Sequence, residues 1–134
     1  MSAVTGAAAL GIHFEEAGSG PPALLLHAFP LDGRMWRAQI SDLSDDHRVI
    51  VPDMPGFGRA AAPNGMQTLD DWAVAIIAYC RERGADRPII AGCSMGGYLA
   101  FAIQRTDPSF ARAFALVDTR VTADSQTARR VRYE

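Results

Sequence analysis

The sequence predicts an α/β chain, a mostly parallel sheet with helices on both faces. Two observations carry that prediction. Four short runs are apolar at both parities: 23–27 (ALLLH), 49–52 (VIVP), 89–93 (IIAGC) and 113–117 (AFALV). A strand of that character is covered on both faces, as in parallel sheets. Between the runs lie longer segments with helical periodicity, and such alternation is what parallel crossover units produce. Right-handed crossovers put helices on both sides of the sheet if its order reverses. The 134 residues, 49% apolar and 21% charged, suffice for one ordinary core.

The elements follow in order. Residues 12–16 resemble a first strand, and Gly18-Ser19-Gly20-Pro21-Pro22 is a turn cluster. After the strand 23–27, Trp36, Ile40 and Leu43 share one helical face. The strand 49–52 precedes a helix marked by Leu69, Trp72, Ala73, Ile76, Ile77 and Cys80 at i, i+3, i+4, i+7 spacing. Thr68 fits its N-cap, Asp70 and Asp71 suit its first turn, and Gly84 its stop. A third helix, 95–105, follows the strand 89–93 and ends before Pro108. After the strand 113–117, residues 122–134 read as the start of a polar helix. Its Arg129, Arg130 and Arg132 form a solvated face.

Composition narrows the function. The composition excludes a disordered tail, a collagen-like chain and a disulfide-stapled miniprotein. A formal net charge of −2 argues against a nucleic-acid partner, which needs a basic face. All thirteen basic side chains are Arg, so Schiff-base chemistry on Lys is excluded. Cys80 and Cys93 lie far apart without metal-ligand spacing and read as free buried thiols. The Ala-rich stretch Ala7 to Ala9 lacks the basic flank and long apolar core of a signal, and no apolar run approaches a ~20-residue span. The expectation is a soluble, cytoplasmic protein with no membrane partner, no cofactor and no metal.

The stretch Gly92-Cys93-Ser94-Met95-Gly96 carries the chemistry. It reads G-x-S-x-G, directly after an apolar strand and before an amphipathic helix, the context a nucleophile elbow requires. Side chains two positions either side of such a sharp turn would collide, so Gly92 and Gly96 supply clearance. Ser94 then sits at a helix N-terminus, where free N–H groups favour developing negative charge. Upstream, His27-Ala28-Phe29-Pro30 follows a strand that ends at the same sheet edge. The main-chain N–H groups of Phe29 and Met95 would form a two-donor oxyanion hole. His27 ends a buried strand and reads as a support for that loop rather than as the base. Asp53-Met54-Pro55-Gly56-Phe57-Gly58 fixes a further tight loop, with Asp53 tying it down.

These three motifs, in this order, resemble the α/β-hydrolase superfamily. The likeness is to single-lid serine hydrolases such as 3-oxoadipate enol-lactonase, esterase and cofactor-free haloperoxidase relatives. It covers nearly the whole chain, from residues 12–16 to Asp118-Thr119-Arg120. The resemblance implies Ser94 as nucleophile and Phe29 and Met95 as oxyanion donors. Ala28 stands where many relatives carry Gly, and Arg59-Ala60 where relatives often show Ser.

The larger departure is the missing base. A serine hydrolase needs a His to take the hydroxyl proton and an acid to orient it, in the chain order nucleophile, acid, His. Here His13, His27 and His47 all precede Ser94. His13 and His47 are expected to face solvent or the far end of the sheet. Asp118 ends the strand 113–117 and is a candidate acid, or else an anchor for the lid. The expectation is therefore the N-terminal part of a hydrolase core at 1–121 and the start of a lid or cap helix at 122–134. A small acyl substrate (ester or lactone) is the expected partner, and a missing C-terminal half or another chain covers the last strand's edge. The competing expectation is a non-catalytic binding or assembly module that keeps the elbow as scaffold.

Overall fold

The computed structural model describes residues 10–133. Ala7 to Ala9 and the side chain of Arg132 lie outside the described residues. Five strands form one sheet: β1 (His13–Ala17), β2 (Pro22–Leu26), β3 (Arg48–Asp53), β4 (Ile89–Cys93) and β5 (Ala113–Val117), in the order β1-β3-β2-β4-β5. Among the described residues four helices accompany them: α1 (Arg37–Leu43), α2 (Leu69–Glu82), α3 (Met95–Thr106) and α4 (Gln126–Tyr133). A 3-10 turn, Gly33–Trp36, leads into α1.

β2 lies between β3 and β4 and is parallel to both, with Leu24 opposite Ile50 and Ile90. Its parities divide as the sequence predicts. Leu24 and Leu26 join Ile50 and Ile90 under α2 and α3, against Ile76, Leu99 and Ile103. Leu25 joins Val49, Val51 and Trp36 on the other face, where Ile40 and Leu43 of α1 pack. Helices therefore cover both faces.

Thr68 caps α2 as expected. Its hydroxyl accepts the Asp71 N–H at 3.1 Å, and the Asp71 carboxylate accepts the Thr68 N–H at 2.8 Å. Both orphan donors are satisfied reciprocally. Gly84 follows the helix end at a φ of +68°, a conformation that favours glycine. Among the described residues no helix is long and apolar enough to cross a membrane.

β1 differs from its neighbours, pairing antiparallel with β3, with His13 opposite Asp53. His13 therefore stands at the carboxyl end of the parallel strands, not at the far end, although β3 and β2 separate its strand from β4. His47 precedes β3 at the opposite end and pairs with Asp46. β5 pairs with β4 alone, and all five of its residues are exposed, Leu116 and Val117 by 41% and 45%.

Asp32 anchors the chain after β2. Its carboxylate accepts from the Arg34 guanidinium at 2.7 and 2.9 Å and from the Arg34 main-chain N–H at 2.9 Å. The guanidinium first, and then that N–H, hold the Asp32 carboxyl down to about 2. A depressed carboxylate stabilises the fold above its unfolded value near 3.8, and the contribution disappears as pH falls toward 2. Asp32→Asn is thus expected to flatten the loss of thermal stability between about pH 4 and pH 2, measured as Tm against pH for both proteins.

Candidate functional site

Ser94 joins β4 to α3 with a φ of 51° and a ψ of −109°. A positive φ is costly for a residue with a side chain, and it persists only where neighbours over-determine it. Glycines make that possible. A Cβ on Gly92 would fall well inside contact distance of the Gly96 carbonyl, and one on Gly96 would strike the Leu26 carbonyl. The main chain of α3's first turn therefore lies directly against the end of β2.

The Ser94 hydroxyl makes no cap bond to its own helix. Ser94 is half-buried and lines an open cleft of about 540 Å³ with Tyr98, Asp118, Thr119, Arg120, Asp124, Ala128 and Val131. Its neighbour Cys93 is half-buried rather than buried, and Cys80 is fully buried; both are unpaired thiols. Burial, and then the Asp118 charge, push the Cys93 thiol up, so its thiolate is disfavoured.

Contact between Gly96 and the Leu26 and His27 carbonyls brings the segment after β2 beside the elbow. Phe29 lies in that segment, 67% exposed, and its N–H makes no main-chain bond among the described residues. Met95 opens α3, where the first N–H groups have no intrahelical acceptor. Ala28 is buried and does not have a positive φ, so alanine fits where the resemblance expects glycine.

His27 is 1% exposed, and both its ring nitrogens are engaged. Nε2 accepts the Met54 N–H at 3.0 Å, so the proton sits on Nδ1, which donates to the Ala28 carbonyl at 3.0 Å. Asp53 answers from the other loop, accepting the Gly33 N–H at 2.7 Å and the Arg59 N–H at 3.0 Å. The loops after β2 and β3 are thus tied by an imidazole from one and a carboxylate from the other. Gly58, at a φ of 53°, leaves room for that carboxylate.

Asp118 is exposed, with a φ of 48°, and faces the same cleft as Ser94. Neither His13 nor His47 lines the cleft. Thr119 has a contact that residue patterns do not reveal, since its hydroxyl donates to the Ser94 carbonyl at 2.9 Å. The third glycine, Gly97, was the available signal for a close neighbour. Among the described residues no three His, Cys, Asp or Glu side chains converge to hold a metal.

Gly96→Ala places a methyl against a carbonyl that cannot rotate away. We expect a loss of about 1–3 kcal/mol or more in urea unfolding, in line with overpacking at a backbone contact.

Comparison with known proteins agrees with this architecture. A family profile for the alpha/beta hydrolase fold matches residues 21–132. A thermophilic esterase from Thermogutta terrifontis superposes with a TM-score of 0.83 at 41% identity, over 90% of this chain and 45% of that one. An N-acyl homoserine lactone degrading enzyme superposes with a TM-score of 0.76 at 26% identity, over 81% and 42% of the two chains. Bifunctional epoxide hydrolase 2 of Sus scrofa is 32% identical over 111 residues, 81% of this chain and 20% of that protein. Haloalkane dehalogenase 2 of Mycobacterium tuberculosis is 35% identical over 99 residues, 72% of this chain and 35% of that protein. The chain thus spans less than half the length of each of these four. Its sheet order, its glycine-flanked turn and the profile match agree, and the chain belongs to the alpha/beta hydrolase fold family.

Proposed function

We propose that Ser94 is the nucleophile of a hydrolase acting on an ester, lactone or related acyl substrate. One observation carries the reading: a serine hydroxyl, unspent on capping, at a positive-φ turn between a parallel strand and a helix. The relatives include names for esterases, a lactone-degrading enzyme, an epoxide hydrolase and a dehalogenase. Chemistry separates these. Serine attack on an alkyl carbon, as in an epoxide or haloalkane, leaves an ether that water does not cleave. Attack on a carbonyl leaves an ester that water does cleave. A hydroxyl at position 94 therefore favours the acyl substrates.

In this mechanism the Ser94 Oγ attacks the carbonyl and passes its proton to a histidine. The carbonyl oxygen becomes an oxyanion held by the N–H groups of Phe29 and Met95. The histidine returns the proton to the leaving oxygen, an acyl-enzyme remains, and a water deprotonated by the same base releases the acid. His27 does not serve, because both its nitrogens are committed. The base is supplied from outside these 134 residues, with Asp118 a candidate for the acid that orients it. Residues 1–121 act as part of the hydrolase core, and 122–134 begin a lid; Ala128 and Val131 already wall the Ser94 cleft. The exposed edge of β5 is covered by more of the same protein or by another chain. Two unpaired thiols fit a reducing, cytoplasmic setting.

The absence of a histidine beside the cleft, among the described residues, favours a second reading, a binding or assembly module that keeps the elbow as scaffold. Hydrolysis of an activated aryl ester by the full-length protein separates the two. The enzyme reading expects Ser94→Ala to lose on the order of 10⁴-fold or more in kcat. Equal rates for wild type and Ser94→Ala would overturn the nucleophile reading and favour the module. Intact mass of the active particle, with a search for a second fragment, tests whether a further segment supplies the base.

A further inference from the structure

The last residue of β5 and the loop after it hold Ser94 through the two peptide groups that flank its Cα. The Ser94 N–H donates to the Val117 carbonyl at 3.0 Å. The Ser94 carbonyl, which also accepts the Gly97 N–H at 2.9 Å, receives the Thr119 hydroxyl at 2.9 Å. Between the two gripping residues, Asp118 takes a φ of 48°. That left-handed step lets Val117 present its carbonyl and Thr119 its side chain to the same residue.

The seat for Thr119 is built into α3. A Cβ on Gly97 would lie 2.6 Å from the Thr119 Cβ and Cγ2 atoms and closer still to Oγ1. Gly97 is buried and has no positive φ, so conformational freedom does not require glycine there. Space does. Thr119 is half-buried, and its hydroxyl spends its one proton on the Ser94 carbonyl.

From this geometry we infer that Thr119 is a positioning residue for Ser94. Its hydroxyl holds the peptide after the elbow in the orientation that keeps φ of Ser94 positive and aims Oγ into the cleft. The inference rests on the reading of Ser94 as nucleophile and deepens it. Thr119 lines the same cleft, but its hydroxyl bonds the Ser94 carbonyl, so it acts through the Ser94 backbone. Losing one neutral hydrogen bond leaves the fold standing, but small displacements of a nucleophile are costly in rate.

The test uses the full-length protein as wild type, Thr119→Val, Thr119→Ala and Thr119→Ser. A fluorophosphonate probe measures the labelling rate at Ser94, an aryl ester gives kcat and KM, and Tm reports the fold. Val and Ala are both expected to slow labelling and lower kcat by about tenfold, with KM within about twofold. Thr119→Ser, which restores the hydroxyl, is expected to recover most of the rate. Wild-type labelling in Val and Ala, or a loss in Ser equal to that in Val, would overturn the role of the hydroxyl while leaving the nucleophile in place. A rate loss that simply follows a fall in Tm across the three variants would overturn it too. A wild type that takes no label at Ser94 removes the nucleophile reading and the Thr119 inference together.

Discussion

Backbone against backbone at the start of α3 is the constraint from which the site's geometry follows. Gly92 lies on the Gly96 carbonyl, and Gly96 lies on the Leu26 carbonyl, with no room for a methyl at either point. Protein interiors transmit such contacts because they are close-packed. With α3 pressed against the ends of β4 and β2, the chain has no gentle way from strand to helix. Ser94 absorbs the turn in a single residue, at a φ of 51°. The same contact brings the segment carrying Phe29 beside the N-terminus of α3. One packing requirement therefore sets the bend, the free hydroxyl and the neighbouring N–H groups together.

The segment after β2 would be a poor support if it were mobile, and polar side chains hold it. His27, Asp53 and Asp32 are the buried polar residues among those described; His27 and Asp53 bond main-chain groups of these loops, and Asp32 holds the Arg34 guanidinium and the Arg34 N–H. A buried carboxylate with two N–H partners is satisfied, and leaving either N–H unpaired would cost about 1–3 kcal/mol. A histidine and two aspartates close to a candidate active site invite catalytic roles. Their bonds assign them to holding loops instead. The Phe57 ring, edge-on to both His27 and Phe29, closes this layer.

Much of this was legible in the sequence, for identifiable reasons. β4 has the bounds that its apolar run predicts, because a strand flanked by others on both sides carries an unbroken signal; β5 has its predicted bounds too, but its five residues are exposed rather than covered on both faces as the run implies. Thr68 and Gly84 were legible because caps have specific chemistry. The elbow was legible because its sterics demand glycine at fixed spacing. The antiparallel pairing of β1 was not. A short turn joins β1 to β2, yet β3 lies between them. The reason is a crossing: Gly18 and Gly20 sit against the main chain of Ser44, Asp46 and His47, which feeds β3 into that gap. Nothing local in residues 12–22 encodes so distant a contact, and so the pairing that sets His13 opposite Asp53 was not legible. Thr119 was hidden for a similar reason, since its role depends on a left-handed Asp118 twenty-four residues after Ser94.

β5 occupies two positions in this scheme that are usually kept apart. It is the edge of the sheet, paired on one side only and exposed along its whole length. It also supplies, through Val117 and the turn that follows, the bonds that hold the Ser94 peptide. Edge strands with exposed apolar side chains open more easily than central ones, because few contacts must break. Fraying of β5 breaks the Ser94–Val117 bond directly and removes Thr119 from its seat on Gly97. The elbow's strained conformation then loses two of the neighbours that over-determine it. A segment that covered β5 would therefore stabilise more than a sheet edge: it would also hold in place the loop that bonds the Ser94 peptide, and so couple completion of the sheet to the geometry of the candidate nucleophile.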